Sequence, residues 1–301
     1  MKKTELKLKI DKVVQFIFMV IGLVAASAIV IIVLFIFIKG ISPFINDYQG
    51  SGNASLLKFI TGFTWTAGNY GILGMLINTL YLTLIATLVS SPISILTALF
   101  IVRIAPKRLS ASIKSVIELL ASIPSIIYGL FGMAVINFVV KNIGNLFNIQ
   151  TAGGTSGLST VIVLIIMMIP TITMISITSM EAVRQDQIHA SLALGATKAQ
   201  TDFKIVINGA KSGIFAAIIL GVGRALGEAT AVSMVCGNAI TGPNLNLFDI
   251  TRTLTSTMML GLHESSGLDY DIRFSVGVVL MFIILLTSVT LNAIKRKLET
   301  K

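Results

Sequence analysis

The chain has 301 residues, of which 54% are hydrophobic and only 12% charged, and its mean hydropathy is +0.91. That composition excludes a soluble globular domain and predicts an integral membrane protein. The formal net charge of +10 is accordingly read by position, as basic residues that set topology rather than as a nucleic-acid surface. The single cysteine, Cys236, excludes an intrachain disulfide and a cysteine metal cluster.

Met1 to Lys12 carries five lysines against Glu5 and Asp11, and an apolar run follows from Val13 to Ile38. A signal-peptide core is about 7–15 residues long, so this longer run predicts an uncleaved spanning helix. Lys39 to Tyr70 is rich in Gly, Ser, Asn and Thr and holds Trp65 and Tyr70. It reads as an extra-membrane loop with a short interfacial helix, because aromatics favour the headgroup level. Residues 1–70 therefore form an N-terminal segment, and residues 71–297 the transmembrane domain.

Further spans are expected at Gly71–Val102, Ile113–Val140, Gly157–Met180, Gly213–Asn238 and Phe274–Ile294, which makes six in all and an all-α fold. Each reaches the roughly 20 residues that cross the hydrocarbon. Pro92, Pro124 and Pro170 fall inside the second, third and fourth, where each removes a backbone hydrogen bond and invites a kink. Glu118, near the start of the third, has two readings, a further acidic candidate for a functional site or a side chain that snorkels to the cytoplasmic interface.

Loop charges orient the chain. Arg103, Lys107, Arg108 and Lys114 crowd the second loop, and Lys295, Arg296, Lys297 and Lys301 the tail, whereas the fifth loop holds Asp249, Glu264, Asp269 and Asp271. The alternation places both termini and the second and fourth loops in the cytoplasm, with Asn46 and Asp269 facing outward.

The fourth loop, Glu181 to Ser212, is long and mixed in charge. Ile188, Leu192 and Gly195, then Ala199, Phe203 and Ile207, recur at three- and four-residue steps, which predicts two short amphipathic helices broken at Gly195. Such an apolar face must be buried, against the chain's own helices or in a partner's groove.

The fifth span, GVGRALGEATAVSMVCGN from Gly221 to Asn238, places Arg224 and Glu228 in an otherwise apolar run. One charge at the centre of a spanning helix costs roughly 2.5–3.5 kcal/mol on insertion scales, so such residues face a bundle interior or a watery path. At a separation of four the two side chains lie on the same helix face and can neutralise one another, roughly 16 and 22 Å from Gly213. Gly223 and Gly227, with Ala217, Gly221 and Ala231, make that side thin enough for another backbone to approach. Two readings stand: a structural ion pair, or an Arg224 that meets an anion in transit while Glu228 orients it. The glycines are spaced GxGxxxG and follow no strand, which excludes a dinucleotide-binding turn.

HASLALG at His189–Gly195, followed by Ile205, resembles the EAA motif of ABC importer permeases. Ala190, Ser191 and Gly195 match that motif, while His189 stands where glutamate is usual and Asn208 where proline often follows. IPSIIYGLFG at Ile123–Gly132, GRALGEATAV at Gly223–Val232, and Asn78 and Thr79 in NTLYLT resemble, more narrowly, the phosphate-specific permeases of C type.

The resemblance implies a type I ABC importer permease fold in the cell membrane, half of a translocation pathway, and a coupling loop over residues 181–212. It also implies a second permease subunit of A type, cytoplasmic ATP-binding subunits, an extracytoplasmic phosphate-binding protein and a lipid surround, with no nucleic acid and no cofactor. The coupling-loop residues carried over are His189, Ala190, Ser191 and Gly195, and the substrate-path candidates are Arg224 and Glu228, read from their charges in an apolar run. The chain has no GxxxxGK[ST] sequence of its own, so it is expected to be no enzyme and to draw energy from another subunit. Another oxyanion such as sulfate or molybdate, and an ion-coupled secondary carrier, stay open as alternatives.

Overall fold

The structure, a computed structural model, describes residues 2–48 and 52–299. Lys301 of the basic tail lies outside the described residues, as do the side chains of Lys2, Lys3, Lys7 and Lys9. Helix α1 (Lys2–Ile45) leads into a short helix α2 (Leu56–Thr61) and a two-stranded hairpin of β1 (Trp65–Thr66) and β2 (Asn69–Tyr70). The loop expected over residues 39–70 begins later, since α1 runs on to Ile45, and it carries a short helix and also a hairpin that alternation over so few residues does not announce. Helix α3 (Leu73–Leu99) follows and continues through a wider π-turn at Phe100–Ile104.

The third span differs from expectation. Helix α4 (Lys107–Ser122) is a separate amphipathic helix with Lys107, Arg108, Lys114 and Glu118 on it. Pro124, which has no N–H and forces the preceding Ile123 into an extended conformation, separates it from α5 (Ser125–Phe131). The spanning stretch runs through α5, a π-turn at Gly132–Ile136 and α6 (Asn137–Leu146), so it begins after Pro124 instead of containing it.

Helix α7 (Gly157–Glu181) is followed by α8 (Gln185–Ala193), α9 (Lys198–Thr201), a π-turn at Asp202–Val206 and α10 (Ile207–Gly209). Then come α11 (Lys211–Gly227), α12 (Thr230–Val235), α13 (Leu254–Met259) and α14 (Leu268–Glu299). Among the described residues five helices are long and apolar enough to cross a membrane. The pair Lys198–Gly209 and Lys211–Gly227, bent by 66°, makes a sixth if it is one span. Helices suit the setting because each satisfies its own backbone polar groups where no water can.

Helix α7 is the centre of the bundle, with 61% of its most apolar stretch buried, whereas the corresponding stretch of α1 is 0% buried. Ala86 of α3, Met168 and Ile172 of α7, and Ala217 of α11 close one core. Helix α1 packs along α14 and meets α2 through the Phe44 and Phe59 rings, and at one place its approach to α14 is very close. A Cβ on Gly40 would come within 2.7 Å of Val278 Cγ2 and 2.9 Å of the Phe274 carbonyl, so only glycine allows this approach. Beside it Lys39 Nζ lies 3.2 Å from Asp271 Oδ1, and the Tyr48 hydroxyl donates to Asp271 Oδ2 at 2.6 Å. Burial, and then that bond, raise the Tyr48 phenol above its ordinary range and keep it a donor.

Candidate functional site: a lone arginine beside a broken helix

Helix α11 stops at Gly227. Glu228 is extended, with φ −74° and ψ 113°, and α12 restarts two residues later. Four-residue spacing therefore does not bring Arg224 and Glu228 together, since a shared face needs an unbroken helix between them. Among the described residues no carboxylate lies within 4.0 Å of the Arg224 guanidinium. Of the two readings, the structural ion pair thus has no such pair among the described residues.

Each of the two residues has a partner of its own. Arg224 Nη1 donates to the hydroxyl of Thr171 on α7 at 2.7 Å, one residue past the proline of that helix. Glu228 is buried and its Oε1 accepts from the Ala231 N–H at 3.0 Å, which satisfies one donor at the start of α12. Its carbonyl accepts from the Thr255 hydroxyl of α13 at 2.8 Å. Thr171 is neutral and lies 53 positions away, so nothing in the linear pattern marks it.

The small residues of α11 divide between two faces. A Cβ on Gly221 would meet Ile172 at 2.8 Å, so this side packs tightly on α7. Gly223 and Gly227 have nothing within 4 Å, and Leu220 on that side is exposed. Arg224 thus borders a face that its own chain leaves open.

The sequence motifs converge on this turn. Helix α5, from IPSIIYGLFG, packs on α12: a Cβ on Gly129 would lie 3.0 Å from Ala231 Cα and 2.5 Å from Met234 Sδ. The Tyr128 hydroxyl donates to the Leu120 carbonyl at 2.7 Å and bridges the break at Pro124. From NTLYLT, Asn78 Nδ2 donates to the Arg252 carbonyl at 3.2 Å and the Thr79 hydroxyl accepts from the Leu254 N–H at 3.0 Å. Asn78 and Thr79 thereby pin the segment that leads into α13.

The fourth loop forms a second candidate surface, with the two expected helices in place. Gly195, between α8 and α9, has φ +82°, a left-handed conformation that glycine adopts without strain. Thr197 starts α9 with a reciprocal capping box to Gln200. Ile188 is buried in a core with Leu99, Ile117, Val206 and Ile214, and the Ser191 hydroxyl pairs with that of Thr201 at 2.9 Å. His189 and Ala190 are exposed, as are Leu192, Leu194 and Phe203, with Leu194 at 89%.

Arg103 Nε, from the π-turn after α3, donates to Asp202 Oδ1 at 2.7 Å and fastens the loop to the bundle. Lys114 of α4 pairs with Glu181 at the end of α7. Neither pair is visible in the sequence, because the partners of each are far apart along it.

Residues 90–301 match the protein family described as binding-protein-dependent transport system inner membrane component. The probable ABC transporter permease protein YqgH of Bacillus subtilis is 32% identical over 86% of this chain and 82% of its own. The phosphate transport system permease protein PstC of Xylella fastidiosa is 34% identical over 69% of this chain and 70% of its own. PstC 1 of Mycobacterium tuberculosis is 28% identical over 84% and 86%. Among solved structures, a bacterial alginate ABC transporter superposes with a TM-score of 0.60 at 14% identity, over 92% of this chain and 94% of that one. The MetNI methionine ABC transporter does so at 0.52 and 18%, over 75% and 95%. Both likenesses are of fold.

Proposed function

Because the chain belongs to the family of binding-protein-dependent transport system inner membrane components, we propose that it is the C-type permease subunit of an ATP-driven importer of inorganic phosphate. The family implies an ATPase, a substrate-binding protein and a second permease. In the proposed assembly the second permease is of A type and the binding protein delivers phosphate from outside. The ATP-binding subunits dock on the exposed residues of α8 and α9, with both termini on their side of the membrane. Residues 71–297 carry the transport domain and residues 1–70 attach to it.

The observation that carries the phosphate reading is Arg224. It is a guanidinium on an apolar helix whose partner is a neutral hydroxyl. An uncompensated cation is costly in a low-dielectric passage, and a phosphate dianion there needs cationic and hydrogen-bonding compensation. A planar donor fork that is not tied to a carboxylate can take phosphate oxygens two at a time. Thr171 holds the fork through one hydrogen bond, and exchange of its hydroxyl for an anion costs no broken salt bridge. The structural-pair alternative requires a carboxylate beside Arg224, and Glu228 is engaged elsewhere.

The test is uptake of labelled phosphate by the complete transporter carrying Arg224→Gln or Arg224→Lys. Both are expected to copurify with the ATPase. Arg224→Gln abolishes uptake, and Arg224→Lys falls well short of wild type because it keeps the charge and loses the fork. Near-normal uptake by Arg224→Gln overturns the assignment.

A further inference from the structure

A second cationic cluster lies beyond the broken helix, in the segment between α12 and α14 and in the first turns of α14. Arg252 is only 6% exposed, and its Nε donates to the Thr257 hydroxyl at 3.0 Å. Its terminal amino groups donate to no described residue, and the guanidinium lies 5.9 Å from the centre of the Trp65 ring. Arg273 Nη1 donates to the backbone carbonyl of the same Thr257 at 2.8 Å and to that of Leu260, and its Nε to Ser265 at 3.0 Å. Two guanidiniums therefore converge on one threonine.

Among the described residues no carboxylate lies within 4.0 Å of either. Glu264 and Asp269 line a cavity of about 240 Å³ with Arg273 and Trp65. Asp269 accepts from the Tyr70 hydroxyl and its charge favours the Arg273 cation, Glu264 is exposed, and among the described residues it is Arg252 that has no carboxylate to set against its charge. Burial, and then the like charge of Arg273, bring the Arg252 guanidinium down to about 10. A buried cation next to another cation is a state that a bound anion relieves, since a hydroxyl and an aromatic face offset only part of its lost hydration.

We propose that Arg252 and Arg273 form a second oxyanion site, an outer station that takes inorganic phosphate before it reaches Arg224. Its direction rests on the phosphate reading above, whereas the site stands on its own residues. The free terminal amino groups of Arg252 offer a planar fork for two oxygens. The neighbouring Thr251 hydroxyl is buried without a partner. The segment is bolted to both ends of α12: Thr251 N–H donates to the Cys236 carbonyl at 2.7 Å, and the Thr255 hydroxyl to the Glu228 carbonyl at 2.8 Å. Helix α12 has six residues and is about 9 Å long, so an anion released at Arg252 next meets the turn that carries Glu228 and Arg224.

Trp65 is the only tryptophan of the chain and serves as the reporter. The purified full chain, in an uncharged and phosphate-free detergent, is titrated with inorganic phosphate at constant ionic strength while Trp65 emission is followed. A saturable change is expected for the wild type and equally for Arg224→Gln, so failure of the Arg224 reading leaves this test intact. Arg252→Gln loses the response. Arg252→Lys, which keeps charge and fold, weakens phosphate affinity at least tenfold. A wild-type chain without a saturable response overturns the proposal, as does an Arg252→Lys chain that titrates like wild type. A response to phosphatidylglycerol but not to inorganic phosphate also overturns it, because the cluster then holds a lipid headgroup.

Discussion

Arg224 and Glu228 share a motif, yet their side chains are in different chemical situations, and this asymmetry is testable. Glu228 satisfies a backbone donor at the start of α12, a task that a glutamine carbonyl also performs. Glu228→Gln should therefore keep assembly and most of the phosphate uptake, whereas Glu228→Ala should cost about 1 kcal/mol of stability, as loss of a helix cap does. Thermal melting of the purified complex, read beside uptake, separates the two. Equal loss of uptake in Glu228→Gln and Arg224→Gln, at unchanged melting, shows instead that the carboxylate charge itself takes part in transport. At this scale the sequence marked the charged residues, because a charge in an apolar run is costly wherever it points. It did not mark Thr171, whose hydroxyl is ordinary in a membrane helix. Nor did it mark Arg252, which lies outside the apolar runs and whose burial follows from tertiary packing alone.

Elements were legible where one period holds throughout and illegible where a helix stops for a tertiary reason. The two helices around Gly195 followed from three- and four-residue steps and a glycine. The end of α11 at Gly227 did not, since the apolar pattern runs on through Val235 while the backbone turns aside to let Glu228 meet α12 and α13. Pro124 announced a break, but the polar face of α4 decides on which side of it the span lies. The Gly195 turn yields a prediction in which strain and docking separate. A side chain at φ +82° costs about 1–2 kcal/mol whatever its size, and its own chain offers no obstruction, since a Cβ there meets nothing within 4 Å. Strain alone thus makes Gly195→Ala and Gly195→Trp alike in ATPase copurification and uptake. If α8 and α9 enter an ATPase cleft, Ala is partly active and Trp is not, while both insert into the membrane. Full copurification and uptake with Gly195→Trp removes the docking assignment.

At the scale of the whole molecule, one end of the bundle gathers Arg103, Lys107, Arg108, Lys114, Arg184, Lys198 and Lys204 in or beside its connections. The other end carries Asp47, Asp249, Glu264 and Asp269. Its basic residues are Arg252, which is buried, Arg273, which is bonded to the backbone carbonyls of Thr257 and Leu260, Lys39, which is paired with Asp271, and two exposed lysines, Lys58 and Lys141. With seven basic residues at the first end against two exposed lysines at the other, the positive-inside rule predicts that the α4 and α8–α9 end is cytoplasmic. The prediction is read with a membrane-impermeant thiol reagent on intact cells. Native Cys236 is fully buried and gives no background signal. Asn46→Cys and Glu264→Cys, both exposed, should be labelled from outside, whereas Lys198→Cys, equally exposed, should react only after the membrane is opened. Labelling of Lys198→Cys in intact cells inverts the whole bundle, because α7 and the α8–α10 segment are one packed unit with α3 through Val206, Ile188 and the Arg103–Asp202 bridge. It would also place the proposed ATPase surface on the wrong side, so this one measurement bears on the orientation of every element at once.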